Sequence, residues 1–259
     1  MISRPDIRFA LAFALVLPLG GPSAAADVRY ESEYSVALGV LPIARLSFNT
    51  NVDGDRYRIQ GNFKSSGLVE VVREVSARSE VSGQLSSGRL LPDRYTLDYR
   101  SGKKKEVFDI RFSGGDVVEV KVEPPPKPRS GNWVSLTEAD LKAVMDPIGA
   151  FLIPDGVDVC AQRLPVFDGE SRMDLVLQPK GVEAFRAGKL KGEAIVCSVR
   201  YEPRAGYRKG RKDIEYLKSV TDMEIWFAKT ETLKLYAPVY AKIPTRYGTV
   251  HISAERFDG

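Results

Sequence analysis

Asp146, Asp168 and Asp174 are the residues of this chain that could most directly do chemistry. Two carboxyl groups held a short distance apart can hydrolyse a glycosidic bond, one as acid and the other as base or nucleophile. Asp168 and Asp174 flank a turn, and Asp146 approaches them if the segment that carries it packs on that turn. The local sequence Phe167-Asp168-Gly169-Glu170 points elsewhere. An aspartate before glycine at a hairpin tip ordinarily accepts hydrogen bonds from the backbone just beyond it. Arg172 or a neighbouring lysine is a ready partner for the Asp168 charge. Structural roles are therefore favoured for these carboxylates, and a hydrolase built on Asp168 is the weakest functional reading.

His251 is the only histidine. Val250, Ile252 and Ala254 make the apolar face of its run, so His251 shares the polar face with Thr249, Ser253 and Glu255. A serine–histidine–aspartate set needs a presented nucleophile, and no Gly-x-Ser-x-Gly elbow occurs. One histidine and two cysteines expected to be oxidised make no metal set, and there is no calcium-loop pattern. Nor does a glycine-rich loop precede a helix to cradle phosphate. No catalytic residue, metal or cofactor is assigned.

A basic stretch is the sharper feature. Arg204, Arg208, Lys209, Arg211 and Lys212 are interleaved with Gly206, Tyr207 and Gly210, between a strand ending near Tyr201 and one expected to start near Ile214. Lys103-Lys104-Lys105 form a second cluster at a hairpin tip. Such stretches can touch phospholipid headgroups, lipopolysaccharide phosphates or an acidic protein. A solvated loop charged for solubility is the plainer reading.

The compartment follows from the N-terminus. Arg4 and Arg8 precede a short apolar run, Phe9 to Leu19. Pro18, Gly20, Gly21 and Pro22 break it, and Ala24-Ala25-Ala26 offers small residues for cleavage. The run is shorter than the roughly 20 apolar residues that span a bilayer. Residues 1–26 are thus expected to be a signal peptide, leaving 27–259 as a single β-rich periplasmic domain with no transmembrane segment. The chain carries +4, of which the leader accounts for one through Arg4, Asp6 and Arg8, so +3 remains. An excess this mild does not argue for nucleic acid. In an oxidising compartment the only two cysteines, Cys160 and Cys197, are expected to pair. The bridge would close a loop of about 38 residues and contribute about 4 kcal/mol.

The elements that must position these residues read mainly as strands. Tyr30, Tyr34, Val36 and Leu38 share one face, as do Tyr57, Ile59, Gly61 and Phe63, with polar residues between them. Phe108, Ile110 and Phe112, then Val118, Val120 and Val122, then Met223, Ile225 and Phe227 repeat the alternation. Turn residues fall between the runs at Asp53-Gly54, Ser87-Gly88, Ser101-Gly102 and Ser113-Gly114-Gly115. The fold class is mainly β, an antiparallel meander curled into an open or half-open barrel. The proline-rich run 123–129 is expected to be an extended connector. After it comes one short helical segment near 137–152, with Thr137 as cap and Leu141, Val144 and Met145 as its apolar stripe. Asp146-Pro147 breaks it, and Asp146 can cap a second short turn through Ile148, Phe151 and Leu152. The apolar hairpin Val36 to Ala44 is expected to pack in the core, with cover by the helix or a place lining the mouth of the barrel as the alternatives.

At Asp146-Pro147-Ile148-Gly149-Ala150-Phe151-Leu152, then Cys160, then Pro165-Val166-Phe167-Asp168-Gly169 with Arg172, Asp174 and Leu175, the chain resembles a known family. These are the bacterial exported proteins grouped as the domain-of-unknown-function 3108 family. The likeness extends to Tyr34–Phe48, with Gly39 and Pro42 in the turn, and to Cys197, Tyr201 and Ala205-Gly206-Tyr207. It covers essentially all of the chain after the leader. Where that family commonly has serine or alanine after the Asp-Pro-hydrophobic step, this chain has Gly149. The resemblance implies an envelope-localised β-rich domain and carries no agreed activity. The expected function is a non-catalytic cell-envelope protein whose curled sheet takes a lipid or other amphiphile. The alternative is a scaffold docking an envelope protein partner or peptidoglycan.

Overall fold

Alternating apolar residues become strands that pair almost wholly in chain order. In the N-terminal half, β1 (Val28–Leu38), β2 (Leu41–Asp53), β3 (Arg56–Ser65), β4 (Val75–Ser86), β5 (Arg89–Ser101), β6 (Lys104–Ser113) and β7 (Asp116–Glu123) form an antiparallel meander. A short helix, α1 (Gly67–Val72), links β3 to β4. The connector that follows holds two short strands, β8 (Trp133–Val134) and β9 (Ile153–Pro154). The C-terminal half comprises β10 (Arg163–Phe167), β11 (Arg172–Ala187), β12 (Leu190–Ala205), β13 (Tyr207–Arg208), α2 (Lys212–Ser219), β14 (Met223–Lys229), β15 (Leu235–Thr245) and β16 (Gly248–Arg256). This computed structural model describes residues 28–72, 74–86, 89–129, 131–231, 233 and 235–257. The expected leader and the Ser87-Gly88 turn lie outside them.

Pairing of the first and last strands sews the halves together, with Tyr34 opposite Ala254 and Leu38 opposite Val250. The full strand order is 10-11-12-14-15-16-1-2-3-4-5-6-7, with β9 added beside β15. Strands β7 and β10 are the two edges, and they do not pair with each other.

The sheet nevertheless curls until its edges approach. Phe167 at the end of β10 is fully buried among Tyr57, Val81, Tyr95 and Ile110 of the opposite half. Gly169, in the turn after β10, has φ +102°, and a Cβ there would lie 2.8 Å from the Phe108 ring on β6. Only glycine fits so close an approach in that backbone region. The mainly β, half-open barrel is thus the fold observed. Among the described residues no helix is long and apolar enough to cross a membrane.

Four expectations need correction. Residues 137–152 form no α-helix, only 3₁₀ turns at Glu138–Leu141 and Gly149–Phe151. Leu141, Val144 and Met145 are not one helical stripe, because the N–H groups of Val144 and Met145 go to Gly115 and Pro165 and stretch the chain between the sheet edges. No strand starts near Ile214. That residue lies in α2, after a two-stranded ribbon of β13 with β8. Val118 and Val120 are exposed rather than core, because β7 is an edge strand with no second neighbour among the described residues. Val40 in the first hairpin is 99 % exposed and not covered, although Val36 and Ala44 beside it are buried.

Cys160 and Cys197 form the disulfide, with Cα atoms 5.3 Å apart, and fasten the end of the connector to β12. Both are buried beside Ile153, Leu164, Val199 and Phe227. Reduction, or the Cys160→Ser/Cys197→Ser pair, should lower unfolding free energy by about 2–4 kcal/mol. Urea denaturation of the two forms measures this, and coincident curves would show the bond to be structurally idle.

Candidate functional site

The site is built by residues 143–152, a strap that crosses the seam between the edges. On one side the Val144 N–H donates to the Gly115 carbonyl at 2.8 Å, and the Ala143 N–H to Asp116 Oδ1 at 2.9 Å. On the other, the Met145 N–H donates to the Pro165 carbonyl at 2.8 Å and the Met145 carbonyl accepts from the Phe167 N–H at 3.0 Å. The strap then turns inward at Asp146, whose side chain is only 1 % exposed. Asp146 Oδ1 accepts the N–H groups of Ile148 at 2.9 Å and Gly149 at 2.7 Å. Burial pushes this carboxyl above the usual carboxylate range, and the two backbone donors oppose the shift. The folded state therefore holds the Asp146 proton more tightly than the unfolded chain does, so acid does not loosen the strap through this group. A Cβ on Gly149 would sit 2.5 Å from Asp146 Oδ2, so a side chain at that step requires the carboxylate to shift.

Beyond this turn Ile148, Phe151 and Leu152 face a half-open cavity of about 390 Å³. Tyr34, Leu46 and Phe48 from β1 and β2 form its opposite wall, and Ala237, Ala241 and Ile252 from β15 and β16 complete it. The small side chains of Ala237 and Ala241 leave the space open. Ser32 and Thr50 add buried hydroxyls to a lining that is otherwise nearly all apolar. A second apolar recess of about 490 Å³ shares Leu46, Phe48 and Ile148 with the first. It continues along the inner face past Phe63, Val75, Leu97 and Tyr99, each only part-buried.

The carboxylates do not form a catalytic pair. Asp168 Oδ1 accepts the N–H groups of Glu170 and Ser171 at 2.9 and 2.6 Å and supports the hairpin turn. Its carboxyl is raised by burial. Asp174 belongs to a different cluster, 2.5 Å from Arg172 Nη1 and 2.7 Å from Arg163 Nη1, with Arg204 at 3.9 Å. Arg172 therefore pairs with Asp174 rather than Asp168. Of the motif residues, Asp146, Pro147, Phe167, Asp168 and Gly169 meet at the seam, and Arg172 stands apart.

The basic stretch is partly ordered by the connector. Tyr207 and Arg208 pair with Val134 and Trp133, the Lys209 N–H donates to the Asn132 carbonyl at 2.9 Å, and Arg211 pairs with Asp213 at 2.8 Å. Gly206 lies against Glu170 so closely that a Cβ would be 1.9 Å from its carbonyl oxygen. His251 Nδ1 lies 2.6 Å from the Tyr240 hydroxyl, with the rings stacked. Among the described residues no cluster of three or more histidine, cysteine or acidic side chains could hold a metal ion.

Fold and site together define a curled antiparallel meander with an apolar interior, strapped across its open seam. The chain belongs to the family described as "Protein of unknown function (DUF3108)", whose sequence profile matches residues 33–255. It is also similar to the crystal structure of a beta-barrel-like protein of domain of unknown function DUF1849 from Brucella abortus. The two share 12 % identity with a TM-score of 0.49, over 89 % of this chain and 97 % of that one. No curated protein matches this chain significantly.

Two outcomes test the site. Asp146→Ala leaves two buried N–H groups unpaired and should cost about 2–3 kcal/mol in denaturant unfolding. An effect below about 0.5 kcal/mol would mean the strap is held by other contacts. Burial also pushes the Tyr34 and Tyr201 hydroxyls up to about 12 from 10.0. The folded state keeps them neutral, so their stabilisation is complete below pH 10 and is lost as pH climbs towards 12. Stability should fall through that window by roughly 3 kcal/mol from Tyr34 alone, and Tyr34→Phe should flatten the decline.

Proposed function

We propose that this protein is a non-catalytic cell-envelope protein that holds the apolar chain of a lipid or other amphiphile inside its curled sheet. The observation that carries the reading is the apolar cavity of about 390 Å³ beneath the 147–152 part of the strap. Ligand sites usually run from about 300 to 1,000 Å³, so this one, near the lower end, suits a single chain. The polar group of such a ligand would remain outside, since Ser32 and Thr50 give the interior no buried charge. A leader-like segment at residues 1–26 and the Cys160–Cys197 bond support export to the periplasm. The cavity also separates this reading from a pure scaffold, which needs a docking surface and no interior space.

Native mass spectrometry of protein purified from the periplasm, with lipid extraction, is the test. The expected mass is that of a chain beginning at Asp27 plus a co-purifying amphiphile. The Ala241→Phe variant fills the cavity and should bind a fluorescent fatty acid at least about tenfold more weakly, while melting no lower than the parent. An apo mass that does not change on incubation with envelope lipids would transfer the assignment to partner docking.

A further inference from the structure

We propose that one end of the barrel is a docking face for an anionic membrane surface. Four chain reversals meet there: Gly39-Val40 between β1 and β2, α1 between β3 and β4, Gly102-Lys103 between β5 and β6, and Arg246-Tyr247 between β15 and β16. Backbone hydrogen bonds join them into a continuous rim. The Gly39 N–H donates to the Thr249 carbonyl at 2.8 Å, the Ser66 N–H to Ile43 at 2.9 Å and the Gly102 N–H to Glu74 at 3.1 Å.

Large apolar side chains stand out from that rim. Val40 is 99 % exposed, Val71 84 % and Tyr247 80 %, with Leu41 beside Val40 at 41 %. Isolated exposed apolar residues are ordinary on a soluble surface, but these occupy three neighbouring tips at one end. Cations accompany them. Lys103 and Arg246 have no acidic partner among the described residues, whereas Lys104 and Lys105 lean on Glu106 and Asp98. The β12–β14 connection at the same end, residues 206–222, carries five cations against three acids, with Arg211 paired to Asp213 and Lys218 to Glu215. Acidic groups on the rim are Glu70, paired with Lys64 at 3.0 Å, Glu74, and Glu170 in the β10–β11 turn, which is paired with Arg129 and also acts on Lys104.

This arrangement fits a lipid surface better than a folded partner. The apolar groups project singly from convex tips and do not make the flat, contiguous patch of a protein interface. Tyrosine beside lysine and arginine matches the boundary between headgroups and acyl chains, where rings settle and cations meet phosphate. The part-buried recess past Phe63, Val75, Leu97 and Tyr99 runs towards this same end. The docking face stands on surface residues alone and does not depend on the cavity being filled.

Flotation with vesicles of phosphatidylethanolamine and phosphatidylglycerol, against pure phosphatidylcholine, tests it. The protein should partition onto the phosphatidylglycerol vesicles at low salt and leave them as salt rises. Val40→Ser/Val71→Ser/Tyr247→Ser and, separately, Lys103→Glu/Arg246→Glu should each lower partitioning at least tenfold with melting unchanged. Ala241→Phe should float like the parent, so failure of the cavity reading is distinguishable from failure of this one. The proposal is overturned if the protein ignores both vesicles, binds phosphatidylcholine equally, or floats undiminished when the three tips are serine. Self-association or capture of a protein through these tips without vesicle binding would overturn it as well.

Discussion

Peptide groups at the margins of a sheet must find partners or water, and the architecture of this protein turns on how two margins are satisfied. Strands β7 and β10 come close across the seam without pairing. Between them the strap donates to Gly115 on one side and exchanges hydrogen bonds with Pro165 and Phe167 on the other. The curl is held by a few extended residues where a closed barrel would use a whole ladder. Because the strap then turns inward at Asp146, the same segment that fastens the seam also forms one wall of the interior. Closure and cavity are two results of one path of the chain.

The connector is fixed to the C-terminal half by different physics. Asp140 accepts the Thr137 N–H and hydroxyl at 2.9 and 2.7 Å, and its carboxyl is held low chiefly by that hydrogen bond, with Arg172 and Arg204 adding their charge. Asp174, buried on β11, gathers Arg163, Arg172 and Arg204. Arg129 lies 4.2 Å over the Trp133 ring and pairs with Glu170. Paired buried charges add little to stability against apolar replacements, yet they penalise any displacement that leaves one of them alone. Such a cluster suits a long connector that has to lie along one track.

Much of this was legible in the residues. Alternation in β3, where Tyr57, Ile59 and Gly61 are buried and Arg58, Gln60 and Asn62 exposed, is a local property and reads directly. The turn role of Asp168 before Gly169 and the capping role of Asp146 before Pro147 were equally local. What the sequence did not reveal depends on distant neighbours. Val118 and Val120 alternate like core residues, but nothing in their own run says that, among the described residues, β7 stands at the edge of the sheet. Lys212–Ser219 sits in a stretch dominated by charge, and its helix gains definition from Leu217 packing on the disulfide cluster. The cavity was hidden for a related reason. Ala237 and Ala241 read as small strand residues, and only the facing Phe48 and Phe151 turn their smallness into space.

Joining β1 to β16 has a consequence in time as well as in space. β1 finds β2 on one side within its own half of the chain, but its other margin is filled only by β16, more than two hundred positions further along. Bringing together segments more than two hundred positions apart carries a large entropic penalty, and it comes late. Until then Tyr30, Tyr34 and Val36 present an apolar face and a vacant row of amides to any other extended chain. The unfinished sheet is most adhesive along β1, and that margin needs shelter from the moment Val28 appears until β16 has paired with it.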